Sequence, residues 1–191
     1  MTAETLTMQA PHLPNPNYFF LTNPSEIKFG KMKFLITDQP HETTLETFIK
    51  ELERHNAKAV VRVCEPTYHK DVLKSHGIDV KDWEFHDGQP PPQEVINKWL
   101  NFVKEVFKPE TESCIAVHCV AGLGRAPVLV AVALLEAGMQ CEDAIALIRS
   151  QRRGALNDKQ LEFIRNYRPS GQLRKLRYDV ESKHRKSCAI M

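Results

Sequence analysis

At 191 residues the chain has the length of one compact domain with loose ends. Twenty-six Lys and Arg face 24 Asp and Glu, and a net charge of +2 excludes nucleic-acid binding by bulk electrostatics. No apolar run reaches the roughly 18 residues that cross a bilayer. The N-terminus lacks the pattern of a secretory signal, and the five cysteines (64, 114, 119, 141, 188) are odd in number and irregular in spacing, so an intracellular, reducing compartment is expected.

Residues 1–30 hold Pro11, Pro14, Pro16 and Pro24 among polar residues and read as an irregular extension. "MKFLIT" (32–37) and "KAVVRVC" (58–64) read as strands. Between them Thr43 and Glu46 form a capping-box signature, and Leu45, Phe48, Ile49 and Leu52 recur at helical spacing. A short helix over "DVLKSHG" (71–77) closes at Gly77. The eleven residues "DWEFHDGQPPP" (82–92) are too rich in proline for regular structure and read as a working loop. Val95, Ile96, Trp99, Leu100, Val103, Val106 and Phe107 then mark an amphipathic helix. "CIAVH" (114–118) reads as a buried strand, and Arg125 to about Glu136 as a helix apolar enough to lie inside, stopped by Gly138. Helices near 141–150 and 158–167 follow, the second capped by Asn157 with Gln160. Strands alternating with helices predict an α/β domain over 31–168, with a central, mainly parallel sheet flanked by helices.

The chemistry concentrates in "HCVAGLGRAP". A strand-to-helix turn carries Cys119, then Val120, Ala121, Gly122, Leu123 and Gly124, then Arg125 at the start of the helix. Glycines let successive N–H groups point at one centre, and the helix N-terminus adds partial positive charge. Such a cradle suits a tetrahedral oxyanion, which Arg125 can clamp through two oxygens. The same field favours the thiolate of Cys119, the nucleophilic form. Nucleophile, anion receptor and guanidinium on one loop point to phosphoryl transfer through a phosphocysteine, chemistry that calls for no cofactor and no metal. Other oxyanion enzymes, such as arsenate reductases and sulfurtransferases, use a similar loop, but an upstream acid loop argues against them.

Departure of an alkoxide or phenoxide needs a general acid. The loop 82–92 offers Asp82 at its start and Asp87 at its tip, before Gly88, and the tip position favours Asp87. Cys64 ends one strand and Cys119 follows another. If those strands are parallel neighbours, the two thiols emerge on one face within disulfide reach, though an inert buried Cys64 fits the spacing equally. Arg152 and Arg153 read as a solvated basic turn before Gly154. Ala126 stands where a hydroxyl would help the thiolate leave the phosphocysteine, so slow hydrolysis is expected.

The chain ends in "CAIM", a cysteine, two aliphatic residues and Met, the pattern of a farnesylation box at Cys188. One lipid chain anchors weakly and works with a basic segment. Between Gln172 and Cys188 six Lys and Arg face Asp179 and Glu181, a local net charge of +4, so residues 169–191 read as a basic tail suited to anionic lipid. The expected location is the cytoplasmic face of the plasma membrane or endomembranes, with a cytosolic or nuclear pool if unprenylated.

In "RVCEPTY", "DWEFHDGQPPP", "AVHCVAGLGRAPVLVA" and "IRSQRRGALNDKQLEFIRNYRP" the chain resembles the phosphatase of regenerating liver family, prenylated members of the dual-specificity protein phosphatases. The resemblance runs from about Lys31 to Tyr167, plus the prenyl box. It implies Cys119 as nucleophile, Arg125 as phosphate clamp, Asp87 as general acid and Cys64 as redox partner. It further implies slow turnover, a phosphorylated protein (phosphotyrosine favoured) or phosphoinositide as substrate, and magnesium transport mediators of the cyclin M type as partners. Those partner contacts involve an arginine matching Arg153 and an aspartate where this chain has His86; the family also has proline where this chain has Glu84. A binding module that holds a membrane partner in its phosphate pocket is the alternative reading.

Overall fold

The computed structural model describes residues 23–108 and 112–177. Five strands form one sheet: β1 (Ser25–Phe29), β2 (Met32–Thr37), β3 (Ala57–Arg62), β4 (Asp79–Asp82) and β5 (Cys114–His118), in the order β1-β2-β5-β3-β4. β1 runs antiparallel to β2 at one edge, and every other pairing is parallel. The α/β architecture with a mainly parallel sheet is therefore as expected.

Side chains alternate across the pleat and so feed two cores. Phe34, Ile36, Ala59, Val61, Ile115 and Val117 face one side. There they meet α3 (Gln93–Phe107), α4 (Arg125–Glu136), α5 (Cys141–Gln151) and α6 (Asp158–Asn166). Leu35, Val60 and Ala116 point the other way, onto α1 (Leu45–Arg54) and α2 (Lys70–Lys74). Every residue of α4 is buried, so this helix is the centre of the larger core. The buried Trp99 indole N–H donates to the Leu129 carbonyl at 2.7 Å and pins α3 to α4.

Four sequence expectations need correction. The extension 1–30 is not irregular throughout, because Ser25–Phe29 is the edge strand β1, in register from Ser25↔Ile36 to Phe29↔Met32. Its Ile27 is fully buried while Lys28 is exposed, an alternation too short to register beside Pro24. β4 was also missed, since "DVKD" is four residues long and mostly polar. Asp82 is consequently the end of a strand, and the loop proper begins at Trp83. A 3-10 turn over Glu42–Thr44 precedes α1, so Thr44, not Thr43, makes the local bonds. Its Oγ1 accepts from the His41 N–H at 2.9 Å. Asn157 and Gln160 form the capping box of α6 as read.

The fourth correction concerns the tail, whose first part belongs to the folded body. Glu136 ends α4 at 1% exposure and accepts bonds from Tyr167 Oη (2.7 Å), Ser170 N (3.0 Å) and Oγ (2.9 Å), Gly171 N (2.7 Å) and Gln172 N (3.1 Å). Burial alone would raise its pKa, but donors from Tyr167, Ser170 and Gln172 outweigh burial and hold it below the ordinary value. Leu173 is fully buried next to this cage. Lys31 N–H donates to Leu176 O at 2.8 Å, tying the segment around Leu176 to the β1–β2 hairpin. Cys188 and its neighbours lie outside the described residues.

Candidate active site

Cys119 follows β5 at the carboxyl end of the sheet and is 3% exposed. The loop to Arg125 must aim its amides inward to bind an anion, which sends its carbonyls outward into the protein. Each of those carbonyls has a donor. Val120 O accepts from Gln39 N (2.9 Å), Leu123 O from Leu156 N (2.7 Å) and Gly124 O from Val128 N (3.2 Å). Ala121 O and Gly122 O accept from Arg152, through Nη2 at 2.9 Å and Nε at 2.7 Å. Gly122 lies at φ +65°, and a methyl group there would fall on Thr37 O and the Arg152 guanidinium. Gly124 caps α4 with no side-chain bond, so the first-turn amides stay available to an anion.

Arg125 is buried at the first position of α4. Its Nη1 donates to Phe85 O at 3.2 Å. Its Nε lies 3.2 Å from Asp87 Oδ1 but does not aim its hydrogen along that line, so the contact is an ion pair rather than a hydrogen bond. The acid loop is thus folded over the phosphate loop. Asn157 Nδ2 donates to Gly88 O at 3.4 Å and holds the loop tip to the start of α6. Asp82, the other candidate acid, is turned away and takes both Nε (2.5 Å) and Nη2 (2.9 Å) of Arg62. This pairing lowers the pKa of Asp82 against the effect of burial.

β3 and β5 are parallel neighbours, with Arg62 opposite His118. Cys64 and Cys119 therefore leave the same end of adjacent strands, and both are free thiols. Burial foremost, then the charges of Cys119 and Glu84, pushes the Cys64 thiol up to about 12. His118 sits fully buried between them: Nδ1 is 3.3 Å from Cys119 O and 3.9 Å from Cys64 Sγ, and Nε2 is 2.8 Å from Tyr68 Oη. Burial pushes its pKa down to about 4, so the ring is a neutral strut at physiological pH.

Comparison with known proteins agrees with this geometry. A family model described as protein-tyrosine phosphatase matches residues 15–167. The chain is 52% identical over 168 residues to protein tyrosine phosphatase type IVA 3 of Homo sapiens, spanning 88% of this chain and 95% of that one. It is 48% identical over 167 residues to PRL-1 phosphatase of Drosophila melanogaster, spanning 87% and 92%. The chain belongs to the type IVA protein-tyrosine phosphatases. Among solved structures, a protein tyrosine phosphatase from Leishmania major superposes with a TM-score of 0.70 at 42% identity, over 77% of this chain and 99% of that one.

A cysteine-dependent phosphatase of this build depends on residues that sequence reasoning passed over. Arg152 is 3% exposed rather than solvated, and besides the loop carbonyls it reaches Asn23 O at 3.1 Å and Ile36 O at 3.4 Å. Burial lowers its pKa, opposed by the charges of Asp38 and Cys119. Arg153 remains exposed, as read. Gln160, whose sequence position shows only its role as a cap partner, is fully buried, and its Nε2, which has no hydrogen-bond partner, lies against Gly124. A buried amide facing the phosphate loop leaves no local trace in sequence. Among the described residues no group of three His, Cys, Asp or Glu could hold a metal ion.

Replacing Arg152 should loosen the phosphate loop without touching the nucleophile. Arg152→Lys cannot serve two carbonyls in a planar fork, and one left unpaired and buried costs about 1–3 kcal/mol. Inorganic phosphate affinity is expected to fall on the order of tenfold, with a lower urea midpoint. Unchanged phosphate binding would show that Arg152 does not support the loop.

Proposed function

We propose that this phosphatase removes phosphate from phosphorylated proteins, phosphotyrosine above all, through a long-lived phosphocysteine on Cys119. The supporting observation is the position of Arg125, joined at once to the phosphate loop and, through Phe85 O and Asp87, to the acid loop. Phosphate on the loop would take over the guanidinium donors and free the Asp87 carboxyl for the leaving oxygen. Cys119 Sγ attacks phosphorus as the P–O bond breaks, and Asp87 gives its proton to the departing oxygen. Water then attacks phosphorus as the S–P bond breaks, Asp87 takes a proton from that water, and phosphate leaves with the Cys119 thiolate restored.

Ala126 is fully buried at the start of α4 and brings no hydroxyl to support the departing thiolate. Hydrolysis is therefore the slow step. Ala126→Ser is expected to raise steady-state turnover of an aryl phosphate, while Cys119→Ser abolishes it. A Cys119→Ser protein as active as wild type would remove the nucleophile from this account.

Cys64 acts as a protective partner. Peroxide oxidises Cys119 to a sulfenic acid; the Cys64 sulfur attacks it, an S–S bond forms and water leaves. Activity lost to mild peroxide should return with dithiothreitol in wild type and only poorly in Cys64→Ala. Equal recovery in both would rule out this role.

Membrane attachment rests on "CAIM" and the basic residues before it. Prenylation of Cys188 would place the enzyme on a cytoplasmic membrane face, close to integral partners such as magnesium transport mediators of the cyclin M type. Fractionation of cells expressing Cys188→Ser is expected to move the protein from membrane to soluble pools. Retention on membranes would contradict the lipid anchor.

A further inference from the structure

A hollow of about 450 Å³ opens beside the phosphate loop, and Cys64, Arg125 and Val120 line it together with Gln39, Glu65 and Glu84. It is continuous with the catalytic cradle, because Arg125 and the residue after the nucleophile form part of its wall. Val120 is 53% exposed there, an unusual exposure for an aliphatic residue of this chain. Glu65 and Glu84 are both exposed on the rim.

The rim is held in place. Gln39 Nε2 donates to Glu65 O at 2.7 Å, while Gln39 N donates to Val120 O at 2.9 Å. The Glu65 backbone is thereby tied to the phosphate loop itself. Thr67 Oγ1 donates to Pro40 O at 2.9 Å and fixes the next residues. Glu84 is held between Trp83, whose N–H reaches Arg62 O at 2.9 Å, and the buried Phe85. Glu84 and Cys64 line the same hollow, so the exposed carboxylate sits at its rim.

Charge around the mouth is one-sided. A second hollow of about 400 Å³ shares Glu84 and adds His86, and a third of about 340 Å³ is lined by Asp87, Asn157 and Gln160. Among the described residues lining the three, the acids are Glu65, Glu84 and Asp87, and Arg125 is the sole Lys or Arg. Arg125 is buried and belongs to the phosphate being transferred.

We infer that Glu65 and Glu84 form a cation-selecting subsite, so that the preferred substrate is a phosphotyrosine segment with Lys or Arg beside the phosphorylated residue. This rests on the phosphatase reading above and narrows its substrate class. With the phosphate on the loop, the tyrosine ring passes the exposed Val120 and the neighbouring residue overlies the carboxylates. A basic side chain there gains two attractions, whereas an acidic one, or a second phosphate on an inositol ring, meets like charge at both.

Three phosphotyrosine peptides that differ only in flanking Arg, Ser or Glu test this. At low salt kcat/KM should favour Arg over Glu on the order of fivefold, and the preference should shrink as salt screens the rim. The pair Glu65→Gln and Glu84→Gln should lose most of it, with turnover of a small aryl phosphate unchanged. Peptide binding to Cys119→Ser, read by calorimetry, reports the same preference without requiring turnover. No preference, a preference for Glu, or one that survives in the double variant would overturn the subsite. So would faster turnover of a short-chain phosphatidylinositol bisphosphate than of the Arg peptide. Calorimetric preference with no aryl phosphate turnover in wild type would uphold the subsite and sink the phosphatase reading instead.

Discussion

The structure depends on turning a six-residue loop inside out. Backbone amides can face an anion only if their carbonyls face the protein, and buried carbonyls need donors. Here those donors come from the chain after β2, from the turn before α6, from α4 itself and, twice, from Arg152 at the end of α5. The layout of half the domain thus follows from satisfying one loop. Replacing Arg152 by a smaller apolar group would strand several oxygens together, which is a harsher change than the loss of one surface charge.

A second constraint is that one guanidinium serves two loops. Arg125 binds the loop 83–92 through Phe85 O and Asp87, and it is also the group proposed to clamp phosphate. On the proposed mechanism, substrate binding and release of the acid would be coupled through a single side chain. Around it, His118 kept neutral by burial and Tyr68 hold the strand end rigid. At the start of α4, Ala126 contributes only a methyl group, with no hydroxyl to support departure of the thiolate in the proposed mechanism. A site with strong support for forming the phosphocysteine and weak support for releasing it should spend much of its time in the intermediate.

Much of this was legible because the chemistry is contiguous. Cys119 and Arg125 sit within one strand–turn–helix unit, and the apolar runs on either side announce that unit. Asp87 is favoured over Asp82 from its place at the loop tip, and in the structure Asp82 is engaged by Arg62. Arg152 could not be read. Its function is defined by carbonyls 30 and 31 residues away, and "RRG" looks the same whether its arginines are solvated or buried. β1 and β4 were hidden for a different reason: four or five residues at a sheet edge need little apolar signal, because a neighbouring strand supplies the partners. The boundary at residue 169 was misplaced because polar residues that fill the Glu136 cage resemble a solvated linker.

The central claim is a covalent phosphoryl group on Cys119, formed readily and lost slowly. Rapid quenching after exposure to a phosphotyrosine peptide, followed by intact-mass measurement and peptide mapping, tests it most directly. The account predicts one added phosphoryl group, located on the peptide containing Cys119, absent from Cys119→Ser and less abundant in Ala126→Ser. Peptide dephosphorylated with no phosphoryl group on Cys119 at any quench time, or carried on another residue, would contradict it.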